Sequence, residues 1–140
     1  MDELSFEEWS KSVPAWVKSD PLWESGYYKK ALYLYDLAWQ DCEVLKKDYR
    51  GREIVSQLIR SAGSVGANLE EAYGRGVGTA DYVRVTRIAL GEARETRGWY
   101  FRARLILPSD LLERRAALTG QLVAMISNLI SAHRKNLRKP

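Results

Sequence analysis

The chain has 140 residues, a formal net charge of +4 and 46% hydrophobic residues, which suits one globular domain with its own core and leaves little room for a second. A single cysteine, Cys42, excludes an internal disulfide, and charges break every apolar run short of the ~18 residues a membrane span needs. The opening MDELSFEEWSK lacks the basic start and apolar run of a secretory signal; these features predict a soluble, reduced, cytoplasmic protein with no membrane partner.

Residues 1–26 read as an arm. Trp9, Trp16 and Trp23 recur seven residues apart, and Pro14 and Pro21 each precede a tryptophan by two. Prolines so placed oppose one continuous helix, so the segment is expected to hold short helical pieces that dock indoles into grooves of its own bundle or of a neighbour. Residues 1–24 carry six acids and two bases, whereas residues 25–140 carry twelve acids and twenty bases. The acidic arm would repel a nucleic-acid backbone.

Residues 27–140 read as an all-α domain. The first predicted helix spans 27–48, with Leu34, Ala38, Cys42 and Leu45 at helical spacing, and Gly51 supplies a stop signal. The second spans 53–73, with Ile54, Leu58, Ala62, Val65 and Leu69 on one stripe, and Gly74, Gly76 and Gly78 break it. The third starts at Thr79, a plausible N-cap with Asp81 in the first turn, and runs to Pro108. The fourth opens at PSDLLE, where Asp110 and Glu113 have capping-box spacing, and carries Leu118, Leu122, Met125 and Leu129 towards the basic HRKNLRKP end. Short connections between long helices predict an antiparallel up-down-up-down four-helix bundle. A second apolar stripe, Tyr28, Leu32, Tyr35 and Trp39 on the first helix and Val123, Ile126 and Ile130 on the fourth, predicts a homo-oligomer, unless both stripes form one wide core surface.

The stretch SAGSVGANLEEAYGRGVG, residues 61–78, invites comparison with a phosphate-binding loop. Such a loop needs a strand before it and a helix after it, whereas Gly63 and Gly66 fall inside a periodic helix and GRGVG follows one. Interior glycines cost ~1 kcal/mol each relative to alanine, so these small residues predict a close helix crossing, with the third helix as partner. Arg60, Ser64, Asn68 and Glu71 line up along the second helix, and with Arg87 and Glu95 of the third they form an expected structural polar network. Arg60, Asn68, Glu71 and Glu95 would be the residues of an enzyme reading, but no nucleophile and base accompany them. His133 is the single histidine and Cys42 lies on an apolar stripe, so neither catalytic residues, nor a metal site, nor a cofactor is predicted.

The remaining constellation is basic. Fourteen of the twenty-two bases are arginine, whose planar fork suits phosphate recognition. Arg94, Arg97, Arg102 and Arg104 on the third helix, with Arg134, Lys135, Arg138 and Lys139 at the end of the fourth, are the candidate contacts to RNA or DNA. Docking of a partner protein, on this basic surface or in the tryptophan grooves, is the competing reading.

The run QLIRSAGSVGANLEEAYGRG, followed by DYVRVTRIALGEARETRGW, resembles the four-helix-bundle family encoded within intervening sequences of bacterial large-subunit (23S) rRNA genes. Gln57, Arg60, Ala62, Ser64, Ala67, Asn68, Glu71, Gly74, Arg75, Asp81, Tyr82, Arg84, Ile88, Ala89, Gly91 and Glu95 carry the likeness. Ala72 stands where glycine is usual, and Glu92 where serine is usual. The resemblance covers roughly residues 27–135 and implies a homopentameric ring with no established enzymatic activity. The accessory variability proteins of diversity-generating retroelements are distantly similar in fold, and that likeness implies nucleic acid and a reverse transcriptase as partners only by analogy.

Overall fold

The computed structural model describes residues 3–137, and these are helical with no strand among them. Two short helices, α1 (Phe6–Ser12) and α2 (Ala15–Lys18), and a 3-10 turn at Pro21–Glu24 precede four long ones. These are α3 (Gly26–Leu45), α4 (Tyr49–Gly74), α5 (Ala80–Arg102) and α6 (Ser109–Leu137). Cross-helix pairings run in opposite senses along the sequence and fix the directions. On α3 and α4, Tyr28 meets Glu70 while Tyr35 meets Gly63; on α4 and α5, Ser61 meets Thr96 while Arg75 meets Asp81; on α3 and α6, Lys30 meets Gln121 while Asp41 meets Arg115. Neighbouring helices are therefore antiparallel.

The predicted stripes form the core. Leu34, Ala38, Leu45, Leu58, Ala62, Val65, Ala89, Ala93, Leu122 and Ile126 are all fully enclosed. Burying such side chains contributes about 25 cal/mol per Å² of apolar area withdrawn from water, and four amphipathic helices supply that area jointly. The second stripe of α6 goes inward too: Val123, Ile126 and Ile130 are buried within this chain, so they do not ask for a neighbour as expected. On α3, Tyr28 is buried, Leu32 and Tyr35 are half-buried, and Trp39 stands 60% exposed.

Several helix boundaries differ from expectation: α3 ends at Leu45 instead of 48, and α5 ends at Arg102 and passes into a 3-10 turn at Ala103–Leu105 instead of continuing to Pro108. Gly51 does not stop a helix; it lies buried in the first turn of α4, which begins at Tyr49, four residues earlier than predicted. Asp48 is the N-cap, its carboxylate accepting from the amides of Arg50 (2.8 Å) and Gly51 (3.4 Å). A β-carbon on Gly51 would sit 2.8 Å from the carbonyl carbon of Leu45 and overlap its oxygen. The glycine thus permits two backbones to meet where α3 hands over to α4. At the other corner Asp110 lies within α6, where it accepts from Arg114 one turn on, and is not a cap.

The small residues of α4 face a different neighbour from the one expected. β-Carbons at Gly63 and Gly66 would lie 3.1 Å from the Tyr35 ring and 3.3 Å from Leu32. Both glycines are therefore turned to α3, because a ring and a branched side chain there fill the room they leave. The α4–α5 seam holds instead a buried hydroxyl pair, Thr96 donating to Ser61 at 3.0 Å.

The arm packs on α3. Ser5 and Glu8 form a reciprocal capping box at the start of α1, which sets Trp9 against Tyr33 (ring centroids 5.2 Å) and Trp23 (6.1 Å). Its indole N–H donates to Asp36 at 2.7 Å, and the Tyr33 hydroxyl donates to the Leu4 carbonyl at 2.6 Å. Trp9 and Trp23 are buried as expected, whereas Trp16 is 79% exposed and enters no groove of its own bundle.

A buried ionic cluster was not anticipated from the sequence. Asp41 and Arg115 are 3% and 1% exposed, and Arg115 donates through Nε and Nη2 to the two Asp41 oxygens at 2.7 and 3.0 Å. Tyr100 donates to Asp41 at 2.7 Å, and Glu3 of the arm accepts from Arg115 at 2.8 Å and from Arg114 at 3.2 Å. Burial and the adjacent Asp41 carboxylate push the Tyr100 hydroxyl well above its ordinary range, so it stays a donor. Burial likewise raises the Cys42 thiol to about 11, leaving it an inert part of the core.

Glu3 supplies a pH-dependent element. Burial opposes its ionisation, but the hydrogen bonds from Arg115 and Arg114, with their charges, outweigh it and lower its pKa. A carboxylate lowered on folding stabilises above its unfolded pKa, and that contribution is lost as pH falls through the folded value. The stability difference between wild type and Glu3→Gln is therefore expected at pH 7 and should shrink towards pH 3. Urea midpoints at the two values check this; a gap that widens in acid contradicts it.

Candidate nucleic-acid interface

The turn before α5 orders the site. Gly76 and Gly78 adopt φ of 102° and 90°, a region that suits glycine, and deliver Thr79 as the N-cap of α5, its hydroxyl accepting from the Tyr82 amide at 3.1 Å. Arg75 bridges Glu71 and Asp81 at 2.9 Å each, and Arg84 donates to Asp81 at 2.8 Å. Hydrogen bonds from Arg84 and Arg75 hold the exposed Asp81 carboxyl below its usual range. These two arginines are engaged in tying the α4–α5 corner.

The expected polar network is assembled in part. Arg60 crosses to α5 and pairs with Glu92 at 3.3 Å and with Glu95, which also accepts from Trp99 Nε1. Asn68 donates to the Ser64 carbonyl on its own helix at 2.8 Å, and Glu71 belongs to the Arg75 corner. Arg87 joins neither group: it is exposed and makes no ion pair among the described residues.

Arg87 belongs instead to the outer face of α5. Arg87, Arg94, Arg97, Phe101 and Arg104 fall at i, i+7, i+10, i+14 and i+17, which places them within one sector of the helix and its short 3-10 extension. Glu92 and Glu95 lie towards α4, where Arg60 neutralises them, so the outer face keeps its positive charge. Arg94, Arg97, Arg102 and Arg104 are all exposed and free of ion pairs among the described residues. Phe101 is 64% exposed under the Arg104 guanidinium, 4.2 Å from its ring centroid, and Arg102 lies 4.9 Å from the Trp99 ring. Planar cations over aromatic rings, beside unpaired guanidiniums, form a surface able to grip phosphates and stack bases.

The C-terminal bases are elsewhere. His133 packs edge-on against Tyr82 at 4.8 Å, so Arg134 and Lys135 are near the start of α5, whereas Arg102 and Arg104 are at its far end. The two groups are separated by roughly 30 Å of helix at 1.5 Å per residue. They do not merge into one patch. Arg138 and Lys139 lie outside the described residues.

The geometry defines an all-helical bundle protein with an arginine-rich outer face. The family model for the 23S rRNA-intervening sequence protein matches residues 24–128, three quarters of the chain, and the chain belongs to that family. A solved structure of a protein with unknown function from the S23 ribosomal protein family of Bacteroides thetaiotaomicron superposes with a TM-score of 0.66 at 23% identity. The superposition covers 74% of this chain and 97% of that one, a likeness of fold. No curated protein matches the chain. No described helix is long and apolar enough to cross a membrane.

Proposed function

We propose that the protein works without catalysis, as a homo-oligomeric, pentameric bundle that binds nucleic acid or serves as an accessory scaffold in a ribonucleoprotein. The observation that carries this reading is the α5 face, where Arg87, Arg94 and Arg97 make no ion pair among the described residues and Arg104 lies over exposed Phe101. Guanidiniums would neutralise phosphates and the phenyl ring would stack on a base, a mode tolerant of sequence. Repetition of the face around a ring would multiply weak contacts into useful affinity.

Binding of mixed-sequence RNA and DNA to the full chain, followed across a salt series, tests this. Affinity should fall steeply with salt, and replacing Arg94, Arg97 and Arg104 together by alanine should reduce the log–log salt slope for single strands by about 2. Absence of binding at low salt overturns the reading. Arg134→Ala with Lys135→Ala tests the remote bases separately. Light scattering tests assembly, and a monomeric mass removes the ring.

The exposed Leu105, at 83%, and Trp39 favour a second reading, a scaffold that docks a partner protein. Apolar docking would be insensitive to salt, which separates the two.

A further inference from the structure

The arm and α3 border an open pocket of about 460 Å³, a size suited to a small ligand or one inserted side chain. The α5 face does not involve it, and Trp9, which floors it, precedes the residues matched by the family model. Its wall is built by one face of α3, where Asp36, Trp39 and Glu43 recur at i, i+3 and i+7. Trp9 and Tyr33 complete an aromatic lining.

Several features specify the occupant. Among the described residues the lining holds two carboxylates and no cationic side chain, and it adjoins an acidic arm on an otherwise basic chain. Asp36 is held in place by the buried indole of Trp9, whose N–H donates to Oδ2. Trp39 presents an exposed indole, braced by Tyr35 at 6.4 Å between ring centroids. The Lys46 ammonium reaches Glu43 from one turn along at 2.6 Å, but both side chains are more than half exposed, so this pair is weak and replaceable. An indole face beside carboxylates favours a planar cation, which can stack and donate in the same pose; a compact ammonium does the first less well.

We propose that this pocket receives the guanidinium of an arginine side chain presented by a partner polypeptide. The ring system of Trp39 covers the planar group, and Asp36 accepts from its edge with Glu43 supplying further negative charge.

The probe is an acetylated and amidated Gly-Arg-Gly peptide, titrated into the full chain and followed by tryptophan fluorescence and calorimetry. The citrulline analogue, equal in shape but neutral, should bind about tenfold more weakly, through loss of the cation–aromatic and charge-assisted contacts. Trp39→Ala should weaken the arginine peptide by at least about threefold. Asp36→Asn retains an acceptor for Trp9 while removing the charge, and should also weaken it. Unchanged circular dichroism identifies these as losses of binding and not of fold. Equal affinity for arginine and citrulline, or an unchanged affinity in Trp39→Ala, overturns the proposal. So does dissociation of an oligomer by Trp39→Ala, since the occupant is then a second copy of the chain. The Arg94, Arg97 and Arg104 variant should bind the peptide normally, which keeps this test independent of nucleic-acid binding.

Discussion

Asp41→Ala is expected to destabilise the bundle by about 3–5 kcal/mol, because it leaves the Arg115 guanidinium buried without its bidentate partner. Tyr100 loses its acceptor in the same step, since its hydroxyl donates to the same carboxylate. Glu3 does not compensate: it reaches only Nη2 of Arg115, and Arg114 shares it. Thermal melts should show a fall of roughly 10 °C or more for a chain of this size. The paired replacement Asp41→Leu with Arg115→Met removes both charges and should recover much of the loss, because a buried pair is often no better than well-packed apolar residues. Equal stability of Asp41→Ala and wild type would mean that the cluster is solvated.

Gly51→Ala is expected to cost about 2–3 kcal/mol, against the ~1 kcal/mol that alanine ordinarily gains over glycine inside a helix. The sign reverses because the added carbon meets the Leu45 backbone, which cannot rotate away as a side chain would. Gly91→Ala is the control. It lies on the exposed face of α5 with nothing within 4 Å of its would-be β-carbon, and should leave stability unchanged or raise it. A stabilising Gly51→Ala would show that α3 and α4 do not meet as closely as described.

Much of this fold can be read from local pattern. The stripes through Leu34, Leu58, Ala89 and Leu122 lie in the core because helical spacing and burial are one constraint seen from two sides. Thr79 is an N-cap because its hydroxyl satisfies an amide that the helix leaves open. Partners are less legible than faces. Gly63 and Gly66 mark a close approach, yet nothing local says whether α3 or α5 fills it, and the Tyr35 ring decides. Gly51 carries two meanings in sequence, helix stop and close contact, and the fold selects the second.

The ionic cluster did leave a signal. Asp41 lies three residues beyond Ala38 and four before Leu45, and Arg115 falls between Leu111 and Leu122 at core spacing. Opposite charges at core positions of two helices point to a buried pair. The exposed arginines of α5 were legible from the helical wheel, but the distance separating Arg134 and Lys135 from Arg104 follows from antiparallel register.

The bond between Glu3 and Arg115 joins residues 112 apart. During synthesis the arm emerges well before its counter-ion, which belongs to the last of the four long helices. Until Arg115 is in place the acidic arm has no such anchor, and its tryptophans rest on α3 alone. Docking α6 therefore closes the bundle and adds the ionic fastening of the arm in the same step.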